Sequence, residues 1–308
     1  MTAYHGILNL DKPAGWTSHD VVAWVRRVLR EKRVGHAGTL DPMATGVLLV
    51  CVGQATRVVE YLTAGQKVYR AEAQLGVTTD TYDADGQVIA TAPVPSLTAD
   101  DLRDALAGFV GEIQQRPPAY SAIKQGGEAA YRKARRGEAV ELPARPVLIS
   151  GIELLDWDPA ASKFTIEVTC GPGAYIRSLS HDLGQVLGCG AVLTRLTRTR
   201  SGQFTLDDAV ALDDLAEAAR ADDVARHLHP LAAALAKLTR VPVDAEQAGR
   251  LRRGQFIACP EPPSVEVGYA VDAGDGVVAI LAYNAAQAAW RPDKVFVTNH
   301  ELRLMNDE

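Results

Sequence analysis

Gly35-His36-Ala37-Gly38-Thr39-Leu40-Asp41-Pro42-Met43-Ala44-Thr45-Gly46-Val47-Leu48-Leu49-Val50 sets one carboxylate among three glycines. An apolar run follows and continues to Val52. Glycine admits backbone shapes and close approaches that other residues resist. Pro42 locks its own φ and steers Asp41 away from helical geometry. Together they predict Asp41 on a rigid loop that opens into a buried strand from Val47 to Val52. A carboxylate held this way beside an imidazole is a candidate for chemistry. The same residues also fit a tight loop whose aspartate caps its own backbone.

Upstream, Ile7 to Leu10 reads as a short strand and Asp11 to Trp16 as a turn punctuated by Pro13 and Gly15. Thr17 with Asp20 forms a capping-box pattern ahead of a helix whose apolar face is Val21, Val22, Val25, Val28 and Leu29. Gly35 is the predicted stop of that helix. Arg26, Arg27, Arg30, Lys32 and Arg33 occupy much of its remainder, either as a solvated face or as a phosphate contact near His36.

Downstream, Gln54 to Leu62 reads as a short helix and Lys67 to Gly76 as a strand carrying Tyr69. Asp80 to Gly86 fails as an EF-hand, because Thr81 and Ala92 stand where calcium ligands are needed. Asp85-Gly86 predicts a hairpin turn instead. Thr98 and Asp101 open a helix with Leu102, Ala105, Leu106 and Phe109 on one face, ended by Gly111. Val147 to Leu155 and Phe164 to Cys170 are strands, the latter with Phe164, Ile166, Val168 and Cys170 inward. Gly190 to Thr199 is a further strand. The acidic stretch from Asp207 to Asp223 reads as two surface helices.

From Arg116 to Arg145 seven basic residues stand against three acidic ones, with Tyr120 and Tyr131 among them. Basic residues interleaved with aromatics suit RNA, through phosphate attraction and base stacking; a solvated basic helix has the same composition. Arg177 falls near the start of a helix, where anions are favoured over cations. A cation there calls for a carboxylate partner, and Asp41 is the candidate. Ser180-His181-Asp182 is not a catalytic triad, since adjacent helical positions point in different directions.

The 308 residues suffice for one large domain or two unequal ones, and a net charge of −6 argues against a generic DNA-coating protein. Val47 to Val52 is far too short to span a bilayer, and no signal peptide is read at the N-terminus, so no membrane partner and a cytoplasmic location are expected. Cys51, Cys170, Cys189 and Cys259 are scattered without C-x-x-C spacing, and His227 and His229 lack further ligands, so no metal is expected.

Gly35 to Leu48 resembles the active-site motif G-H-A-G-T-L-D-P-x-A-x-G-V-L of the TruB family of tRNA pseudouridine synthases, bacterial stand-alone type. Lys67-Val68-Tyr69-Arg70, Thr79 to Gly86, Pro117 to Lys124, Gly173 to Gly184 and Cys189 to Gly202 resemble further family motifs, over roughly residues 7 to 205. More loosely, Leu251-Arg252-Arg253-Gly254-Gln255 resembles the opening of a PUA domain. The resemblance implies a mixed α+β catalytic domain at 1–240, built on a curved, mostly antiparallel sheet flanked by helices and carrying a basic RNA-binding insertion near 116–145. It also implies a small barrel-like PUA domain at 241–308. The implied reaction isomerises the uridine at tRNA position 55, in the T-loop, to pseudouridine. Asp41, Tyr69 and Arg177 would be catalytic, and His36, Tyr175, Leu196 and Lys12 would bind or support the substrate. The implied partner is the T-arm stem-loop of tRNA, bound by a monomer. No cofactor is required, and no G-x-x-x-x-G-K-S/T loop is present. The alternative is a non-catalytic RNA-binding or tRNA-folding protein on the same scaffold.

Overall fold

The run that follows Asp41 has no polar alternation, and Thr45–Val52 is correspondingly a strand with both faces covered. The computed structural model of the protein describes residues 4–121, 123–259 and 261–297. In chain order its first half comprises β1 (Gly6–Lys12), α1 (Ser18–Leu29), β2 (Val34–His36), β3 (Thr45–Val52), α2 (Val59–Thr63), β4 (Lys67–Leu75), β5 (Val77–Thr79), β6 (Val88–Thr91), α3 (Ala99–Ala107) and β7 (Gly111–Gln115). A small hairpin, β8 (Lys124–Gln125) and β9 (Glu128–Ala129), leads into α4 (Ala130–Arg135). Then come β10 (Arg145–Asp158), β11 (Lys163–Cys170), α5 (Ile176–Val186), β12 (Ala191–Ser201), β13 (Phe204–Thr205), α6 (Leu212–Arg220) and β14 (Leu228–His229).

These strands form a ten-stranded sheet in the order β14-β1-β3-β12-β4-β11-β10-β7, with β2 beside β3 and β13 beside β12. Every pairing is antiparallel except β3 with β12. Register shifts interrupt the β4–β12 and β10–β11 ladders, and such bulges bend a sheet. The expected mixed α+β architecture is therefore present.

One face of the sheet offers Leu8, Leu10, Leu48, Val50, Ala71 and Ile166 to the apolar stripes of α1, α3, α5 and α6. On the other face Ile7, Val47, Leu49 and Cys51 pack on Ala55, Val58 and Leu62, on residues of a second sheet, including Tyr269 and Ile280, and on Phe296 just beyond it. That sheet consists of β15 (Thr239–Pro242), β16 (Ile257–Ala258), β17 (Val267–Val271), β18 (Val277–Asn284) and β19 (Ala289–Val295), with α7 (Ala245–Arg252) against it. Its order is β15-β17-β18-β19-β16. The end of the expected 241–308 unit, from 298 onward, lies outside the described residues. No described helix is long and apolar enough to cross a membrane.

Both predicted capping boxes, Thr17 with Asp20 and Thr98 with Asp101, are formed. Three local expectations are corrected. α1 ends at Arg30, which adopts φ 52°, and Gly35 instead lies inside β2. A basic residue in the last turn suits the negative end of the helix dipole, which favours the earlier stop. α3 ends at Gly108, while Gly111 opens β7. The acidic segment contains one α-helix, α6, followed by a 3₁₀ turn at Val224–His227.

Candidate active site

The loop between β2 and β3 is pinned from several directions. Ser18 Oγ at the start of α1 donates to Leu40 O at 3.1 Å and accepts from Leu40 N–H at 2.8 Å. Gly15 N–H donates to Pro42 O at 2.8 Å, and Ala44 N–H to Asp41 O at 3.1 Å. Lys12, buried at 0 % exposure, donates from Nζ to Trp16 O at 2.6 Å, Pro13 O at 2.8 Å and Pro42 O at 3.3 Å. Burial pushes its ammonium down to about 8, against the opposing pull of Asp41. Lys12 therefore knits the N-terminal turn to the Asp41 loop. Gly38 and Gly46 both take positive φ, and a Cβ on Gly46 would fall 2.3 Å from Arg198 O. Nothing comparable surrounds Gly35, so two of the motif's three glycines carry the geometric demand.

Asp41 emerges from this loop with 32 % of its side chain exposed, against 4 % for Arg177. Arg177 Nε lies 2.9 Å from Asp41 Oδ2, and Nη2 donates to Oδ1 at 3.0 Å. The guanidinium is held from behind by Thr81 O at 3.1 Å, Tyr120 O at 2.9 Å and the Asp83 carboxylate at 3.3 Å. It thus meets the solvent-facing carboxylate with its orientation already fixed. Sequence reasoning missed Asp83, whose side chain is 8 % exposed. Burial raises its pKa, while the Thr81 hydroxyl and Arg177 oppose that shift. The only available signal was the acidic T-D-T-x-D-A-D-G stretch, which reads as turn chemistry.

Arg177 owes its placement to the first turn of α5. The Gln115 side chain clamps Tyr175 there, accepting from its N–H at 2.7 Å and donating to its carbonyl at 3.0 Å. Ser178 Oγ donates to Arg116 O at 2.7 Å. The start of the basic 116–145 segment is therefore bonded to the same turn as Arg177. Within that segment Arg136 is neutralised by Glu128 and Glu138, while Arg132 stands exposed over the Tyr131 ring. Ala122 and the side chains of Lys124 and Arg135 lie outside the described residues.

Tyr69 sits on β4 directly opposite Arg198 of β12, and Ala71 lies opposite Leu196. Residues two apart on a strand share a face, so Tyr69, Leu196 and Arg198 form one surface. Burial raises the Tyr69 hydroxyl pKa, a shift that Arg198 opposes and Asp41 reinforces. The Tyr175 ring lies under the Arg145 guanidinium, 5.4 Å from its centroid. His36 is edge-on to His19 at 5.2 Å, and its buried Nδ1 has no hydrogen-bond partner.

Burial, helped by His19 and Arg198, pushes the His36 imidazole down to about 4. It is therefore neutral in the folded protein near pH 7. The depressed folded value means that the unfolded chain binds the extra proton first as pH falls below the ordinary 6.5. Stability from this group is present above that pH and is lost as pH falls toward 4. Urea unfolding at pH 7 and pH 5 should show a smaller loss in His36→Asn than in the wild type; equal losses would contradict this.

Among the described residues no group of three or more His, Cys, Asp or Glu side chains is arranged to hold a metal ion. A bent, mostly antiparallel sheet thus presents a partly exposed carboxylate held by a buried guanidinium, and comparison with known proteins assigns its class. The family model for the TruB family pseudouridylate synthase N-terminal domain matches residues 26–176, and the tRNA pseudouridylate synthase B C-terminal domain matches residues 177–236. The chain is 45 % identical over 301 residues to tRNA pseudouridine synthase B of Xanthomonas oryzae pv. oryzae, covering 97 % of this chain and 96 % of that protein. It is 47 % identical over 250 residues to the tRNA pseudouridine synthase B of Heliobacterium modesticaldum, covering 81 % and 80 %. A chain of the crystal structure of a Cbf5-Nop10-Gar1 complex superposes with a TM-score of 0.75 at 28 % identity, covering 96 % of this chain and 86 % of that one. The protein belongs to the TruB family of tRNA pseudouridine synthases.

Proposed function

We propose that this enzyme, which isomerises uridine to pseudouridine in tRNA, acts through Asp41 on the uridine at position 55 of the T-loop. The observation that carries the assignment is the 2.9 Å pairing of partly exposed Asp41 with buried Arg177. Arg177 fixes the direction of that carboxylate by contacting both of its oxygens. Ionised Asp41 either attacks the ribose C1′ or removes the C2′ proton to give a glycal. In the first route the Asp41 Oδ–C1′ bond forms as the C1′–N1 bond breaks, and is itself broken when C5 of the turned uracil attacks C1′. In the second the proton taken from C2′ returns to C2′ as C5 bonds to C1′. In both, C5 loses its proton and N1 gains one. Atoms balance without water or a redox partner.

The target base lies inside a folded loop, and turning it out costs roughly a few kcal/mol. Stacking on the Tyr69 ring returns about 1–3 kcal/mol. His36, neutral and partly buried, fills or props the vacated space, and Tyr175 and Leu196 line the pocket. Residues 1–240 act as the catalytic domain, the basic segment near 116–145 grips the T-arm backbone, and 241–308 serves as a PUA-like RNA-binding domain. The enzyme works as a monomer in the cytoplasm. The non-catalytic alternative is not favoured: the relatives are synthases, and the Asp41–Arg177 pair is intact.

Incubation with a T-arm stem-loop, followed by carbodiimide-dependent primer-extension mapping, should reveal one pseudouridine, at the T-loop uridine. Modification at another uridine would replace the proposed specificity. Absence of any pseudouridine in an RNA that the protein binds would return the non-catalytic reading.

A further inference from the structure

Arg198 is the largest fully buried side chain among the described residues, at 1 % exposure. Its Nε donates to Val47 O at 2.6 Å and its Nη2 to Gly38 O at 3.1 Å, while Nη1 lies 3.5 Å from the Tyr69 hydroxyl. No ion pair joins it to any carboxylate among the described residues. A buried cation without a counter-charge carries a large desolvation penalty, and a well-packed apolar residue would avoid it. What the charge holds is specific. Gly38 precedes Asp41 by three residues and Val47 follows it by six, so one guanidinium ties down both ends of the loop that presents the carboxylate. Its third direction faces the Tyr69 hydroxyl. The backbone adds to this: Arg198 pairs with Gly46 across the parallel β3–β12 contact, so close that a Cβ on Gly46 would strike its carbonyl.

We propose that Arg198 is a positioning residue of the isomerisation, setting the Asp41 carboxylate against the Tyr69 ring on which the flipped base stacks. The inference rests on the roles given above to Asp41 and Tyr69. The planar fork of arginine meets three oxygens in fixed directions at once; a lysine ammonium on its flexible stem keeps the charge but not those directions. Misplacing reacting groups by about an ångström can cost on the order of 100-fold in rate.

The test uses Arg198→Lys and Arg198→Met, each alone and combined with Tyr69→Phe, with Asp41→Asn assayed alongside. The readouts are single-turnover pseudouridine formation in a T-arm stem-loop, RNA affinity and thermal midpoint. Arg198→Lys should bind RNA within about threefold of wild type yet lose about 30-fold or more in the single-turnover rate. Tyr69→Phe should shrink the effect of either Arg198 substitution at least about fivefold, because groups that act through a shared contact do not add. If Arg198→Met does not fold, the cycle is run with the lysine variant, whose charge is retained. A wild-type rate in Arg198→Lys, a loss confined to RNA affinity, or full additivity with Tyr69→Phe would overturn the inference. An active Asp41→Asn enzyme would instead sink the assignment beneath it, an outcome distinct from an inactive Asp41→Asn beside an unimpaired Arg198→Lys.

Discussion

Asp41→Asn is expected to abolish turnover, by about 10⁴-fold or more, while leaving the fold and RNA binding in place. Asparagine matches the shape of aspartate, and its carbonyl can still accept from Arg177 Nη2. What disappears is the negative charge that the proposed mechanism uses to attack C1′ or take the C2′ proton. The fold should tolerate this because the side chain is 32 % exposed and the loop is held by its backbone through Ser18, Lys12 and Arg198. Nor does the exchange strand a buried cation, since Arg177 keeps Asp83 at 3.3 Å and two carbonyls. Single-turnover assays, with filter binding on the same preparations, separate the two effects. Substantial turnover in an Asp41→Asn preparation free of wild-type enzyme would remove Asp41 from the chemistry. Loss of RNA binding in step with activity would reassign it to recognition.

How far the sequence discloses this site depends on whether each residue's role is local or set by the sheet. Thr17 with Asp20 and Thr98 with Asp101 are capping pairs three residues apart, complete within one turn, and they form as read. Arg177 was legible for the opposite reason: a cation near a helix start contradicts local electrostatics, which signals a distant partner. Tyr69 came only with the family resemblance, since a strand tyrosine is ordinarily a sheet aromatic. Asp83 was hidden because D-A-D-G is turn chemistry, and nothing in a turn reveals that one of its carboxylates is folded inward onto an arginine. Arg198 was hidden by parity. In Thr-Arg-Leu-Thr-Arg-Thr-Arg, Arg195 and Arg200 are exposed and Arg198 is buried. The choice is made by register against β4, which shifts between Leu193 and Arg195 and again between Arg198 and Arg200. A one-residue slip there would exchange the faces, and no local pattern fixes it.

Arg177→Lys is expected to lower the chemical step by about 10²- to 10³-fold, with RNA affinity little changed. Both oxygens of Asp41, the Asp83 carboxylate and the carbonyls of Thr81 and Tyr120 surround one guanidinium. A lysine offers three donors around a single point and cannot reach all of these from one position. It would keep a positive charge beside Asp41 but leave the carboxylate's direction loose. Arg177→Met removes the charge altogether and should be worse in a second way. Asp83 would remain buried without its cation, and breaking such a pair typically costs about 3–5 kcal/mol. Burial already raises the Asp83 pKa, so the orphaned carboxyl would take up a proton rather than stay charged. Arg177→Met combined with Asp83→Asn should therefore recover much of the stability lost in Arg177→Met but none of the activity. Urea unfolding and single-turnover rates measured on the same four proteins decide this. Recovery of both together would mean that Arg177 serves the fold alone, whereas recovery of stability without turnover places its contribution at the Asp41 carboxylate.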